Sequence, residues 1–378
     1  MTKTGKIIAG VIVVLLVIWG VSMISSKSGT TTNETGPIKV GFVGPLTGDG
    51  AALGENAQAA VELAVSEVNA AGGINGRQLQ FIYEDGKCNG ADAASAANKL
   101  LNADKVSLII GGACSGETSA MAGAAEQAKT VLFSYCSSAP TITNAGDYIF
   151  RDYPSDTFQG SFAANYIYNK LGKKNVAVLY VKTDWGTGIK DVFDDSFTKL
   201  GGKVAIEEGF DQTTKDLRTE LTKIKAANPD LIYFLGYTEE SVTGLKQAAT
   251  LGIKTPMFGG DAWDDPKIYD GAGAAAEGIM FSTVSAPLSD AFKAAMKQKT
   301  GSDEVLACTP GAYDAVNILS NVMKKVGTDS TAIKDELYKT TYANGVSSAN
   351  ISFDSNGDLV GASYMVKQVT NGKAAEVK

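Results

Sequence analysis

From Ile38 to about Gly260, short β-branched or aromatic runs alternate with stretches of helical periodicity, the sequence form of an α/β fold with parallel sheets. The runs are IKVGFVG, LQFIYED, VSLIIGG, TVLFSY, NVAVLYV, KVAIEEGF, DLIYFLG and PMFGG. Between the first two, AQAAVELAVSEVNAAGG sets Ala57, Val61, Ala64, Val65 and Val68 at helical spacing and stops at Gly72-Gly73. ADAASAANKLLNA covers the sheet in the same way. A second series starts after Arg151, with FQGSFAANYIYNKLG and then NVAVLYV. After Phe281 the pattern turns mostly helical, and FDSNGDLVGASYMVKQVTNGK closes the chain as strands around turns. With 378 residues, 44% of them hydrophobic, the chain holds enough apolar material for two compact lobes.

The absence of histidine narrows the chemistry further. It removes every Ser/His and Cys/His catalytic pair and all His-containing zinc sites, so no metal is expected. Lys+Arg number 34 against 41 Asp+Glu, a net charge of −7 with no dense basic run, which sets nucleic acid aside. There is no GxxxxGK[ST], and GFVGPLTGDG lacks the GxGxxG spacing and carries Pro45 where a phosphate needs a backbone donor. No nucleotide or other cofactor is expected. The turn at Gly41–Gly50 reads instead as a loop beside a ligand.

Residues 1–24 read as a membrane anchor or signal. Lys3 and Lys6 precede the uncharged run Ile7–Ile24, which as a helix spans about 27 Å. The sequence VSMISSKSG matches an A-x-A cleavage site poorly, so an uncleaved anchor is expected, and the flanking lysines keep its N-terminal end in the cytoplasm. Everything after it is expected outside. Residues 25–36 are a Ser/Thr/Gly-rich tether. Asn33 and Asn350 each open an N-glycosylation triplet.

In an extracytoplasmic chain, four cysteines suggest disulfides. Position favours Cys88 with Cys114, each just beyond a strand end; the competing reading of Cys114 as a nucleophile lacks a base. Ser115, at the strand-to-helix turn in GGACSGET, combines a hydroxyl with free backbone amides suited to an anion, and also suits a plain helix cap. SYCSSAPTIT places Ser137 and Ser138 similarly one strand later, and Asp261 follows a strand of the second series. Ligands in open α/β sheets sit beyond these strand ends.

At these residues the chain from Pro37 onward resembles the extracytoplasmic solute-binding proteins of ABC importers, in the branch that includes Leu/Ile/Val-binding proteins. IKVGFVGPLTGDGAALG, NAAGGINGRQLQFIYEDGKCNG, GGACSGET, YCSSAP, VKTDWGTG, YFLGYTEE, GGDAW and FDSNGD carry the resemblance, in the family's order. It implies the type I periplasmic binding protein fold, two Rossmann-like lobes joined by three crossings near Arg151, Ser282 and Asp354. Lobe 1 is then residues 37–151 with 282–353, and lobe 2 residues 152–281 with 354–378. It also implies a Cys88–Cys114 disulfide. Ser115 and Ser138 match the residues that hold a substrate carboxylate; the Cys136 carbonyl and Asp261 match the groups that receive an α-ammonium. Asp261 is one methylene shorter than the Glu of those relatives. Trp185 and Tyr237 would close over the ligand from lobe 2. Ala113 and Leu53 complete the implied pocket, Leu53 standing where relatives carry Tyr. Cys136 and Cys308 fall in one lobe near the cleft, where a second disulfide is compatible with the pattern.

The resemblance implies a monomeric, non-enzymatic receptor that binds a neutral or branched-chain amino acid and presents it to an ABC permease. The alternatives are a sensory domain of the same fold, disfavoured by the single membrane segment and lack of an output domain, and an amidohydrolase acting through Cys114 or Ser115.

Overall fold

The computed structural model describes residues 36–48, 50–361 and 363–377. The expected anchor, all of the tether but Gly36, and Asn33 lie outside them. Among the described residues no helix is long and apolar enough to cross a membrane.

Two sheets organise Pro37–Lys378. The first holds β1 (Ile38–Gly44), β2 (Leu79–Asp85), β3 (Ile109–Gly111), β4 (Leu132–Ser134) and β5 (Ile149–Arg151), all parallel, in the order β2-β1-β3-β4-β5. The second holds β6 (Asn175–Val181), β7 (Lys203–Phe210), β8 (Leu231–Leu235), β9 (Met257–Gly259) and β10 (Met280–Val284). An antiparallel hairpin, β13 (Tyr364–Thr370) and β14 (Lys373–Glu376), extends it to the order β14-β13-β10-β9-β8-β6-β7. A small pair, β11 (Thr341–Ala343) and β12 (Asn350–Ser352), stands apart, with the Asn350 side chain exposed.

The runs fit this architecture because helices cover both faces of a parallel sheet, so its central strands are apolar throughout rather than alternating. All five residues of β8 are buried, and Val176–Leu179 of β6 likewise. The helix Ala51–Ala70 lays Ala57, Val61, Ala64 and Val68 on the first sheet. It begins six residues before the periodic stretch, because Gly and polar residues in LGEN mask its first turns.

Each sheet reverses its winding once. In the first the reversal lies between β1 and β3, in the second between β6 and β8. Loops on either side of such a switch point leave in opposite directions and open a crevice at the C-terminal strand ends. Leu53 and Ser115 follow β1 and β3; Trp185 and Tyr237 follow β6 and β8. The chain passes between the sheets three times, after β5, after β10 and before β13. The second passage starts beyond Val284, so Ser282 itself sits within β10 of the second sheet.

Candidate functional site

Two close backbone approaches set the two walls of the crevice. A Cβ at Gly54 would lie 2.1 Å from the Pro45 carbonyl oxygen, and one at Gly186 would lie 2.1 Å from that of Val181. Only glycine lets each helix sit down on its preceding strand end, and each glycine directly follows a crevice residue, Leu53 or Trp185.

Leu53, Ala113, Ser115, Cys136, Ser138, Trp185, Tyr237 and Asp261 all line a single cavity. The two sheets thus contribute to one site. Its volume is about 40 Å³. At ~10–15 Å³ per water, three or so waters or one small amphipathic molecule fill it. Trp185 and Tyr237 are buried and stacked, with ring centroids 5.0 Å apart, and form an apolar wall from the second sheet.

The hydroxyl end is built across two loops. Ser115 opens the helix Ser115–Ala128. Its Oγ accepts from the N–H of Ser138 at 3.2 Å and of Ala139 at 3.0 Å, which ties the loops after β3 and β4 together and leaves its proton free to donate. The first N–H groups of that helix have no carbonyl to reach within it. Ser137 turns inward instead, to the Gly112 carbonyl at 3.1 Å and Thr118 Oγ1 at 2.7 Å. Beneath the turn, the buried Glu117 carboxylate accepts from the N–H groups of Cys88, Ala113 and Cys114, each at 3.0 Å. Burial raises its pKa from 4.5 to about 7, against the pull of those three donors. A folded-state pKa above the unfolded one favours the protonated fold, so stability is lost as pH rises from about 4.5 through 7. The loss attributable to Glu117 reaches about 3 kcal/mol. Urea denaturation at pH 5 and pH 8 will show a smaller pH dependence in Glu117→Gln than in the wild type.

The carboxylate end has more parts than the sequence reading named. Asp261 Oδ2 accepts from the Tyr153 hydroxyl at 2.7 Å and Oδ1 from the Ala262 N–H at 3.0 Å. The Gln159 amide, oriented to donate to Asp261 at 3.3 Å, accepts from the Asp261 N–H at 2.8 Å and Ser282 Oγ at 3.2 Å. Asp156, fully buried, accepts from Ser138 Oγ at 2.9 Å. Burial pushes both carboxyls up, and the charge of Asp261 pushes Asp156 up further, well above the usual carboxylate range. A protonated Asp156 donates to Ser138 Oγ instead and leaves the Ser138 hydroxyl proton free for another acceptor. Tyr153, Asp156 and Gln159 follow β5, so the rule that singles out the loops after β3 and β4 also reaches them; IFR is too short a run to mark that strand.

Both cysteine pairs are bridged. Cys88 and Cys114 have Cα atoms 5.2 Å apart, and Cys136 and Cys308, which both line the cavity, 5.1 Å. The second bridge fastens the loop after β4 to the start of the helix Thr309–Val326.

The sequence pattern of the family described as "Periplasmic binding protein" matches residues 37–373. The chain belongs to the periplasmic binding protein family. Its fold is accordingly the family's type I arrangement of two α/β lobes. Among relatives, it is 31% identical to a leucine-, isoleucine-, valine-, threonine- and alanine-binding protein of Pseudomonas aeruginosa, over 87% of this chain and 89% of that protein. Among solved structures, it resembles a leucine-binding protein from Thermotoga maritima, with a TM-score of 0.84, 30% identity, and 90% and 98% of the two chains covered. It also resembles the branched-chain amino acid transporter substrate-binding protein of Streptococcus pneumoniae, solved with isoleucine, with a TM-score of 0.82 and 33% identity over 90% and 98%.

Proposed function

We propose that this chain captures a neutral or branched-chain amino acid outside the cytoplasm, between its two lobes, and presents it unchanged to an ABC permease. The observation that carries this reading is the single cavity with donors at one end, acceptors at the other and apolar walls between. Such a layout is complementary to a zwitterion. Ser115 Oγ, the free amides of its helix and Ser138 hold the carboxylate; Asp261 and the Cys136 carbonyl receive the ammonium. Trp185, Tyr237, Leu53 and Ala113 surround the side chain. Burial strengthens each charge-assisted contact and makes a missing partner costly, whereas the apolar walls discriminate by only ~1–3 kcal/mol per methylene. The P. aeruginosa and S. pneumoniae relatives support the ligand class by what their names say they bind.

In this reading the protein acts as a monomer, held at the membrane by its N-terminal segment. Ligand bridges the lobes and favours the closed form, and that form docks on the permease. Ser115→Ala removes a donor to a buried charged group and will weaken amino-acid binding by about 1–3 kcal/mol, roughly 5- to 150-fold in Kd, by calorimetry. The reading as a whole is tested by a calorimetric screen of the full chain against the common amino acids, followed by recovery of the ligand. A neutral amino acid that binds and is returned unchanged is the expected result; turnover of the ligand, or no binding by any amino acid, would overturn it.

A further inference from the structure

A second, larger cleft lies where the chain passes between the sheets. All three passages line it, through Asp152 and Pro154, Ser285, and Leu359, with Val284 at the end of β10 beside them. Its volume is about 390 Å³. A 150 Å³ cavity already takes benzene. Asp152, whose carboxylate has no function in the main site, lines its wall. Asp152 is 2% exposed, and among the described residues no other residue donates a hydrogen bond to either of its carboxylate oxygens. A buried, unpaired anion of this kind is costly unless something positive compensates it.

Among the described residues, no Lys or Arg lines the cleft. The surroundings add a second carboxylate instead: Asp314 accepts from the N–H groups of Val346 and Ser347 at 3.1 and 2.7 Å and from Ser347 Oγ at 2.6 Å. Because Ser347 donates its proton to Asp314, its oxygen remains an acceptor in the cleft. Burial and the Asp314 charge push the Asp152 carboxyl well above its ordinary range, so a positive occupant is what would keep it ionised. Ser285, Ser348 and Ser363 add hydroxyls to the lining, and Pro154, Val284, Pro287 and Leu359 give it apolar stretches, with Val360 at the rim 53% exposed, one of few large apolar side chains so open among the described residues.

We propose that this cleft is a binding site for an alkylammonium ion, its ammonium held by the Asp152 carboxylate and the Ser285 and Ser347 hydroxyl oxygens, its chain laid against Pro154, Val284 and Leu359. An ammonium has three donors and no acceptor, which matches a lining of one carboxylate and hydroxyls. The cleft adjoins the main cavity, sharing Tyr153 and Ala307 with its lining, but it offers a different carboxylate, and the proposal stands whether or not the main cavity takes an amino acid.

Calorimetric titration of the full chain with n-butylammonium chloride tests it, in the wild type and in Asp152→Asn and Asp261→Asn. Saturable binding is expected in the wild type and, within about twofold, in Asp261→Asn, with at least a tenfold loss in Asp152→Asn. Ser285→Lys, which tethers an ammonium in the cleft, should abolish binding while the chain melts cooperatively, and so tests the site independently if Asp152→Asn fails to fold. No saturable binding at millimolar amine would overturn the proposal. So would a loss confined to Asp261→Asn, which would put the amine in the main cavity, or equal binding in all variants.

Discussion

Asp261→Lys will abolish amino-acid binding and leave the chain folded. Asp261 is the carboxylate at the acceptor end of the cavity, buried and held by Tyr153 and the Ala262 amide. An arriving ammonium replaces the solvent that this carboxylate has lost, and the opposite charge returns it to the ionised form that burial disfavours. Lysine removes that partner and sets a like charge against the ligand. Breaking one side of a buried ion pair costs about 3–5 kcal/mol, or roughly 150- to 5,000-fold in Kd. The fold is expected to survive because the side chain borders the cavity, and the introduced ammonium gains Asp156 as a neighbour. Calorimetry gives the affinity and far-UV circular dichroism the fold. Wild-type affinity in the variant would remove Asp261 from the binding role.

The second large effect is on stability, and it separates the two disulfides. Cys88 and Cys114 are 26 positions apart in sequence, Cys136 and Cys308 172. In the chain-entropy account the first closure restrains the unfolded chain by about 3.5 kcal/mol and the second by about 5 kcal/mol. Double alanine variants of each pair should therefore both melt lower than the wild type, Cys136→Ala/Cys308→Ala lower than Cys88→Ala/Cys114→Ala. The former should also bind the amino acid more weakly, since its bridge holds the loop that carries the Cys136 carbonyl and Ser138. The reverse order of melting would mean that local packing, not loop length, sets the contribution of these bridges.

These two residue groups also mark where the sequence is readable. Strands β1, β2, β6 and β7 coincide with apolar or β-branched runs of seven or eight residues, and their ends are visible in the residues alone. β5 is a three-residue strand, and β10, MFSTV, mixes two hydroxyl residues into its run, so neither carries enough periodicity to register. Ser115 and Ser138 are legible because they sit at recognisable strand ends. Asp156 and Gln159 are not, because what gives them a role is their closeness to Asp261 across more than a hundred positions of chain. The Cys136–Cys308 bridge is a contact of the same long-range kind. Cys88 and Cys114 follow β2 and β3, the two strands that flank β1, and strand-end position alone brings them together.

The central claim, that one cavity grips both ends of an amino acid, is tested most directly by a crystal structure of the protein with the amino acid that binds best in the calorimetric screen. The account predicts the ligand carboxylate within about 3 Å of Ser115 Oγ and the loop of Ser138, and its ammonium within about 3 Å of the Asp261 carboxylate. A ligand lying in the opposite direction, or bound away from Trp185 and Tyr237, would contradict it.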